Sequence, residues 1–334
     1  MTAISPRAAR LVRALDQAAI PAVLTPMTAD RRLALADLEG YASAIAAQPI
    51  GGVAAWVHTG RGPYLSIAER RRVLATFRAA TTLPIIAGVA PPTGAEGDPV
   101  TEALAVADEA VAGGADALLV FPPRAYAGRP DRDEALLRLH ERLAVHTGLP
   151  LILFILHAAA GGYAYPPALL RDLLALPNVA GVKIATLDSA MTCQDVTTLV
   201  RKEFPDRLAV TGEDRMFGPS LMWGAQAALV GVAAACGHLT TDLLARWFGG
   251  PGHDGFVAAS DRMDRFAGAT FTQPIEGYVQ RMLWAAEAEG IISAEAAHDP
   301  FGPKIPARDR EHVHQLVRSL QADSALPADS TREG

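Results

Sequence analysis

The segment Gly113-Gly114-Ala115-Asp116-Ala117-Leu118-Leu119-Val120-Phe121 joins a helix stop to a buried strand, and this junction decides the fold class. Glycine accepts the left-handed conformation that ends a helix, so the two glycines mark the end of a helical stretch. The apolar run 117–121 that follows is typical of a strand buried on both faces. A helix that leads directly into such a strand indicates an α/β protein.

Similar apolar runs recur along the chain, with helical patterns between them. The eight predicted strands cover residues 22–24, 53–57, 85–88, 117–121, 151–156, 181–184, 208–211 and 227–232. Most units span roughly 30 residues, the length of a βαβ unit, in which parallel strands are joined by right-handed crossovers. An open doubly wound sheet would also alternate in this way. No Gly-x-Gly-x-x-Gly turn follows the first strand, however, and the regular units favour closure into a (β/α)₈ TIM barrel.

Helix signals support the same register. Ser66 with Glu69, and Asp131 with Glu134, have the spacing of capping boxes at helix starts. The pattern after the eighth strand is helical. The predicted organisation is therefore a barrel with an N-terminal helix over residues 1–239 and a C-terminal helical region over residues 240–321. A disordered tail is predicted over residues 322–334, because this segment has little apolar surface to offset its ordering entropy.

The composition excludes several function classes. The chain has 334 residues, 36 acidic and 30 basic side chains and a formal net charge of −6, so nucleic acid and anionic membranes are not expected partners. The N-terminal helix lacks the apolar stretch of a signal peptide, and the run 227–236 is too short to span a bilayer. Cys193 and Cys236 predict neither a disulfide framework nor a zinc site. We expect a cytoplasmic protein with no metal and no cofactor.

Lys183 stands at the end of the sixth predicted strand, in Gly181-Val182-Lys183-Ile184-Ala185-Thr186. Active sites of closed barrels lie at the carboxyl ends of the strands. Only three of the 30 basic residues are lysines. Since this chain uses arginine for most of its positive charges, a lysine at a strand end suggests a role beyond charge. Apolar surroundings favour a neutral amine that can attack a carbonyl, as arginine cannot. Alternatively, Lys183 reaches out of the strand end or pairs with Glu213 or Asp214.

Five segments in order resemble the dihydrodipicolinate synthase/N-acetylneuraminate lyase family, within residues 20–273. They are Ala22-Val23-Leu24-Thr25-Pro26-Met27, Pro84-Ile85-Ile86-Ala87-Gly88, Ala112-Gly113-Gly114-Ala115-Asp116-Ala117, Gly181-Val182-Lys183-Ile184-Ala185-Thr186 and Thr211-Gly212-Glu213-Asp214. The resemblance implies a (β/α)₈ barrel with a helical C-terminal region and a homo-oligomer, dimeric or tetrameric. It also implies a Schiff-base lysine on strand six, which is Lys183 in this chain.

The loop after the second strand departs from the family. Where the family has Gly-Thr-Thr-Gly-Glu, whose hydroxyl and N–H groups hold a 2-oxo acid carboxylate, this chain has Val57-His58-Thr59-Gly60-Arg61. The resemblance implies that Thr59 and Gly60, which are retained, bind substrate. Arg61 is a candidate to neutralise a carboxylate from a different position.

The fifth and eighth strands also depart from the family. Phe154 takes the place of a proton-relaying tyrosine, and phenylalanine has no acidic proton. The segment 157–161 contains no arginine, although relatives often carry one near it that binds a distal carboxylate. Val232 and the alanines after it replace polar residues. We therefore expect Phe154 and Val232 to line a more apolar pocket, and a reaction other than that of dihydrodipicolinate synthase.

Three residues are candidates for the missing proton relay. His58 and His157 fall at strand ends, and imidazole titrates in the useful range, but each could equally be a hydrogen-bonded structural residue. Tyr126 lies in the loop after strand four, where relatives place a tyrosine that reaches the site, and it could instead pack on the barrel rim. Glu213 could polarise the pocket as part of the substrate site, or cap the following helix.

The sequence thus predicts a Schiff-base-forming lyase, an aldolase or a dehydratase, that acts through Lys183 on a small oxo acid or related carbonyl compound. The protonated imine would serve as an electron sink for C–C cleavage, condensation or dehydration. The alternative is a noncatalytic barrel that binds a carbonyl metabolite or a protein partner, which Phe154 and the alanine-rich loop favour. A sugar-acid dehydratase would keep Lys183 and use His58 or His157 for proton transfer.

Overall fold

Eight parallel strands form a closed barrel in the computed structural model, which describes residues 3–250 and 253–325. The strands are β1 (Ala19–Pro21), β2 (Val53–Ala55), β3 (Ile85–Val89), β4 (Ala117–Val120), β5 (Leu151–Leu156), β6 (Val179–Ala185), β7 (Leu208–Thr211) and β8 (Ala227–Val230). They pair in the order β1-β8-β7-β6-β5-β4-β3-β2, and a bridge between Ala22 and Ala54 closes the ring. The predicted (β/α)₈ barrel is confirmed.

The first strand lies earlier than the sequence predicts. It pairs with β8 from Ala19 opposite Ala228 to Pro21 opposite Val230. Residues 22–24, where the strand was expected, are buried and keep two ladder-like bonds, from the Ala22 N–H to the Val230 carbonyl at 3.1 Å and from the Val23 N–H to the Ala54 carbonyl at 3.0 Å. The apolar character of residues 22–24 reflects their burial. In a run of three residues, an apolar pattern does not distinguish a buried segment from a strand paired along its length.

Helices alternate with the strands and continue after the eighth. They are α1 (Pro6–Leu15), α2 (Leu35–Ala46), α3 (Ile67–Ala80), α4 (Pro99–Ala112), α5 (Arg132–Thr147), α6 (Pro167–Leu174), α7 (Ala190–Glu203), α8 (Phe217–Met222), α9 (Gly237–Phe248), α10 (Phe256–Thr270), α11 (Tyr278–Ala288) and α12 (Ala307–Ala325). The capping box of Ser66 and Glu69 is present at the start of α3. The second predicted box is wrong, because the Asp131 carboxylate instead pairs with Arg129 and Arg138.

Helix α1 lies at the amino-terminal end of the barrel, and its apolar face is buried through Ala8, Leu11 and Leu15. Ser5, which caps this helix, donates its backbone N–H to the Pro177 carbonyl at 2.8 Å, just before β6 begins. Helix α1 therefore packs at the end of the barrel opposite the carboxyl ends of the strands. Functional sites of such barrels lie at those carboxyl ends.

The helical C-terminal region differs from prediction at its end. Helix α12 extends to Ala325, so residues 322–325, predicted to be disordered, are helical as the continuation of a helix that is anchored by the buried Val313, Val317 and Leu320. Residues 326–334 of the predicted tail lie outside the described part of the chain. Within residues 3–250 and 253–325, no helix combines the length and apolar character needed to cross a bilayer.

Candidate active site

Lys183 lies inside the barrel near the carboxyl end of β6, opposite Phe154 on β5 and Val210 on β7. The residue is only 5% exposed, and its Nζ sits 4.5 Å from the centroid of the Phe154 ring. The next strand leaves room for it, because a Cβ at Gly212 would lie 2.5 Å from Lys183 Cε. The fold therefore buries a lysine against an aromatic wall, and no carboxylate of residues 3–250 and 253–325 forms a hydrogen bond with its amine.

The electrostatic environment of Lys183 favours a reactive amine. Burial lowers the pKa of Lys183 to about 8, although the Asp214 and Glu213 carboxylates oppose this shift. Removal from water disfavours the ammonium form, and this effect outweighs the attraction of the carboxylates. A neutral amine is thus far more abundant near neutral pH than on an exposed lysine.

Asp214 faces the same cavity and titrates close to Lys183. Burial raises the pKa of Asp214 to about 7, against the opposing effects of the Val232 N–H and of Lys183. Its Oδ1 accepts that N–H at 2.8 Å. Val232 was expected to line the pocket with its side chain, but this side chain packs in the core, and its contribution is the backbone donor that fixes Asp214.

Asp214→Asn should shift the pH dependence of imine formation to lower pH. The carboxylate favours the ammonium form of Lys183, so removing its charge lets burial lower the pKa of Lys183 further. Only the neutral amine attacks a carbonyl. The rate of imine trapping by borohydride should therefore rise through about pH 8 in the wild type and at lower pH in the variant. An unchanged profile, with Glu39→Gln as the exposed control, would contradict this assignment.

Glu213 supports the loop after β6 through its carboxylate. Its carboxylate accepts the Thr186 N–H at 2.6 Å, the Thr186 hydroxyl at 2.7 Å and the Leu187 N–H at 2.8 Å. Burial raises the pKa of Glu213. Of its two predicted roles, the carboxylate acts on the pocket only through its charge, which favours the ammonium form of Lys183, and its hydrogen bonds go to the loop after β6 and not to the following helix. It orders the loop that carries Leu187 into the cavity wall.

His58, His157 and Glu276 meet beside the Lys183 cavity, and we call these three residues the imidazole–carboxylate cluster. His58 Nε2 lies 3.1 Å from both carboxylate oxygens of Glu276, and His157 Nε2 lies 3.7 Å from Oε1. Both imidazoles line the same cavity as Lys183. The structure thus brings the two predicted histidines together and adds a carboxylate that sequence reasoning missed.

Two members of the cluster, Glu276 and His157, have shifted pKa values. Burial opposes ionisation of Glu276, but the His58 hydrogen bond and the charges of His58 and Arg61 lower its pKa to about 2. Burial lowers the pKa of His157, as do the charges of His58 and Lys183, while Glu276 opposes the shift. At neutral pH the cluster holds a fixed anion beside a neutral His157, which is the form that accepts a proton.

Arg61, expected to neutralise a substrate carboxylate, already pairs with carboxylates of its own chain. Its guanidinium binds Asp299 through Nη2 at 2.7 Å and Glu276 through Nη1 at 3.1 Å, and Nη2 also donates to the Glu276 carbonyl at 2.9 Å. Burial opposes its charge, yet Asp299 and the other neighbours raise the pKa of Arg61 above the ordinary value. Arg61 neutralises two carboxylates of its own chain. Its contacts with Glu276 hold the segment before α11 against the loop after β2.

Thr59 lines the cavity and Gly60 does not. The Thr59 hydroxyl hydrogen-bonds the Tyr278 hydroxyl at 3.1 Å, and both residues belong to the cavity wall. Gly60 lies against the end of β1, where its carbonyl accepts the Thr25 hydroxyl at 2.8 Å. A Cβ on Gly60 would come within 2.8 Å of the Val23 carbonyl oxygen, so this glycine permits close packing of two loops.

Tyr278 is the second residue that sequence reasoning missed. Its ring stacks on Phe271, with centroids 4.4 Å apart, and on His58 at 5.9 Å. Burial raises the pKa of Tyr278, so its hydroxyl stays protonated. The predicted aromatic candidate, Tyr126, lies elsewhere. It is buried under the Arg129 guanidinium, 5.0 Å from its ring centroid, and lines no cavity wall shared with Lys183.

The imidazole–carboxylate cluster has a donor set that could hold a divalent cation. Its ligand atoms all lie within 4.8 Å of one another, and two imidazoles with one carboxylate suit zinc. However, Arg61 already supplies positive charge to the Glu276 carboxylate. An added cation would face this charge and would displace the His58 hydrogen bond.

We therefore expect chelation by EDTA to leave turnover unchanged and added Zn²⁺ to inhibit, because zinc would occupy the imidazoles needed in their free form. Steady-state assays with and without each addition measure this. Loss of turnover on chelation, restored by zinc, would show instead that the cluster is a metal site.

The barrel and its buried strand-six lysine together have the architecture of a class I aldolase. The chain belongs to the dihydrodipicolinate synthetase family, whose profile matches residues 16–321. It is 27% identical to the 4-hydroxy-tetrahydrodipicolinate synthase of Methanosarcina barkeri over 233 residues, 69% of this chain and 73% of the relative. It is also 27% identical to an uncharacterized DapA-like lyase of Thermococcus kodakarensis, over 89% and 96% of the two chains.

A solved structure shows the same fold. The prophage protein YagE of E. coli, a dihydrodipicolinic acid synthase family member crystallised with pyruvate, superposes with a TM-score of 0.75 at 20% identity, over 91% of this chain and 98% of YagE. The predicted family is confirmed. Membership supports a class I aldolase or lyase and does not favour the noncatalytic alternative.

Proposed function

We propose that this protein is a Schiff-base-forming lyase in which Lys183 attacks the carbonyl of a small 2-oxo acid or related compound. The observation that carries the proposal is the buried Lys183 amine, whose pKa is about 8, in one cavity with two imidazoles. An amine that is partly neutral near physiological pH, held beside groups able to move protons, meets both requirements of imine chemistry.

The reaction begins when the Nζ lone pair of Lys183 attacks the carbonyl carbon. A C–N bond forms, the carbonyl oxygen takes one proton from the attacking nitrogen and a second from an acid in the site, and loss of this oxygen as water leaves a protonated imine. The imine then accepts the electron pair of the C–C or C–H bond that breaks, which yields an enamine. Protonation of the enamine carbon and hydrolysis of the imine release the product and regenerate the amine.

His157 is the residue best suited to transfer these protons. It is buried and neutral, because burial lowers its pKa, and it lies 3.7 Å from the ionised Glu276, which stabilises the imidazolium that forms. Phe154 has no proton to offer. The Thr59 and Tyr278 hydroxyls, 3.1 Å apart, provide a second protonated pair on the cavity wall.

The site favours a reaction other than that of dihydrodipicolinate synthase. Arg61, the cation on the strand-two loop, is bound to Asp299 and Glu276. The cavity at Lys183 has a volume of only about 20 Å³, little more than one water molecule needs, so most of a substrate would lie outside it. Aldol cleavage and dehydration both fit these walls, and analysis of the carbon skeleton of the product separates them.

Deuterium exchange into pyruvate tests the proposal without knowledge of the second substrate. Enamine formation at Lys183 exchanges the methyl protons of pyruvate with solvent, so the methyl signal in the proton NMR spectrum should decay in D₂O when the enzyme is present. Pyruvate is the probe because YagE binds it. Lys202→Ala, which alters an exposed lysine, should exchange at the wild-type rate. Exchange that persists in Lys183→Ala would overturn the proposal.

A further inference from the structure

A second cavity opens beside the one that holds Lys183, and we call it the vestibule. It has a volume of about 360 Å³, and its wall includes His58 and Leu156, which also line the Lys183 cavity. A molecule whose carbonyl lies at Lys183 can therefore extend past these two side chains. The rest of the wall is largely apolar, with contributions from Pro63, Tyr64, Pro91, Pro92, Phe121 and Pro122.

Arg124 supplies a cation to the vestibule wall. It begins the 3₁₀ turn Arg124–Tyr126 after β4, and its side chain crosses to the loop after β5. There Nη2 donates to the Ala160 carbonyl at 2.6 Å, and Nε lies close to Gly161, where an added Cβ would come within 2.5 Å of it. The guanidinium is thus held in place by backbone and loop packing.

The charge of Arg124 is not neutralised by a carboxylate within the described part of the chain. Among residues 3–250 and 253–325, no side-chain carboxylate forms an ion pair with it. Arg61, the other arginine on the vestibule wall, is paired with Asp299 and Glu276. Arg124 is an exposed residue, and its guanidinium, anchored by one bond to the Ala160 carbonyl, keeps N–H donors that can bind an anion.

We propose that the vestibule binds the part of the substrate remote from its carbonyl, and that Arg124 binds a carboxylate on that part. The substrate class is then a carbonyl compound with an apolar body and a distal carboxylate. This inference rests on the proposed function, because Lys183 defines the reacting end. A carboxylate suits a single guanidinium, which can bind it with two parallel hydrogen bonds.

Two matched aldehydes test the proposal: 4-formylbenzoate and the isosteric neutral 4-formylbenzamide. Borohydride trapping on Lys183, followed by intact mass, gives the half-saturating concentration of each. The wild type should be half-saturated by the benzoate at a concentration about tenfold or more below that for the amide, since hydrogen bonds to a charged group are the strong ones. Arg124→Met should abolish this preference. Arg129→Met is the control, because Arg129 pairs with Asp131 and stacks on Tyr126 outside the vestibule.

Calorimetric titration with the unreactive pair 4-methylbenzoate and 4-methylbenzamide separates the two proposals. If no carbonyl compound is trapped but the benzoate preference in binding still depends on Arg124, the proposed function fails and the anion subsite stands. If both aldehydes are trapped on Lys183 with equal half-saturation, or if Arg124→Met keeps the preference, the subsite proposal is wrong. A merely structural role of Arg124 would weaken both compounds alike and leave their ratio unchanged, which also overturns it.

Discussion

Lys183→Ala should abolish imine formation and lower turnover by at least about 10³-fold, because the covalent step loses its nucleophile and positioned groups cannot replace it. The other lysines of the chain, Lys202 and Lys304, are exposed, so neither is held at the cavity. Lys183→Arg should be as inactive, since a guanidinium stays protonated. Steady-state assays on the substrate identified by screening, together with intact mass after borohydride, measure both effects.

The folded state should survive the Lys183→Ala change. The substitution removes a buried amine that forms no ion pair with the described residues, and Asp214 keeps its hydrogen bond from Val232. Circular dichroism and thermal unfolding should therefore resemble those of the wild type, with Lys202→Ala as the matched lysine control. Substantial turnover in a folded Lys183→Ala protein would contradict the account of the reaction.

His157→Asn should lower turnover by about 10²- to 10⁴-fold, the contribution of a positioned general acid or base. Imine trapping should become slower but still reach the wild-type extent, because Lys183 and its neighbours Phe154 and Asp214 are unchanged. Loss of turnover together with retained imine trapping distinguishes a proton-transfer role of His157 from a loss of structure. Single-turnover kinetics with and without borohydride provide the measurement.

His146→Asn is the matched control for this prediction. His146 also hydrogen-bonds a carboxylate, Asp108 at 2.7 Å, but it lies on the exposed side of α5, away from the cavity. Its replacement should leave turnover unchanged. If His157→Asn retained wild-type turnover, the proton relay would have to be assigned to another group, with the Thr59 and Tyr278 hydroxyls next in line.

Much of the fold could be predicted because its signals are local. Glycine stops such as Gly113-Gly114 and fully apolar runs such as 151–156 specify where a helix ends and where a strand lies, without reference to distant residues. The first strand was misplaced because residues 22–24 are as buried as a strand but pair little. The Asp131 box failed because two nearby arginines compete for the same carboxylate.

The candidate site was only half predictable. Lys183, His58 and His157 come from strand ends, which the barrel places together, so strand position sufficed to select them. Glu276 and Tyr278 come from the segment before and at the start of α11, and no local pattern indicates that this segment folds over the barrel. Arg61 was misassigned for the same reason, since its partner Asp299 is distant in sequence and binds it only in the folded chain.

The most direct test of a covalent role for Lys183 is peptide mapping of the protein after borohydride reduction in the presence of pyruvate. The account predicts a single stable adduct, on the peptide that contains Lys183, in the wild type and in Lys202→Ala. It predicts none in Lys183→Ala. An adduct on Lys202 or Lys304, or no adduct with pyruvate or any other oxo acid tried, would contradict it.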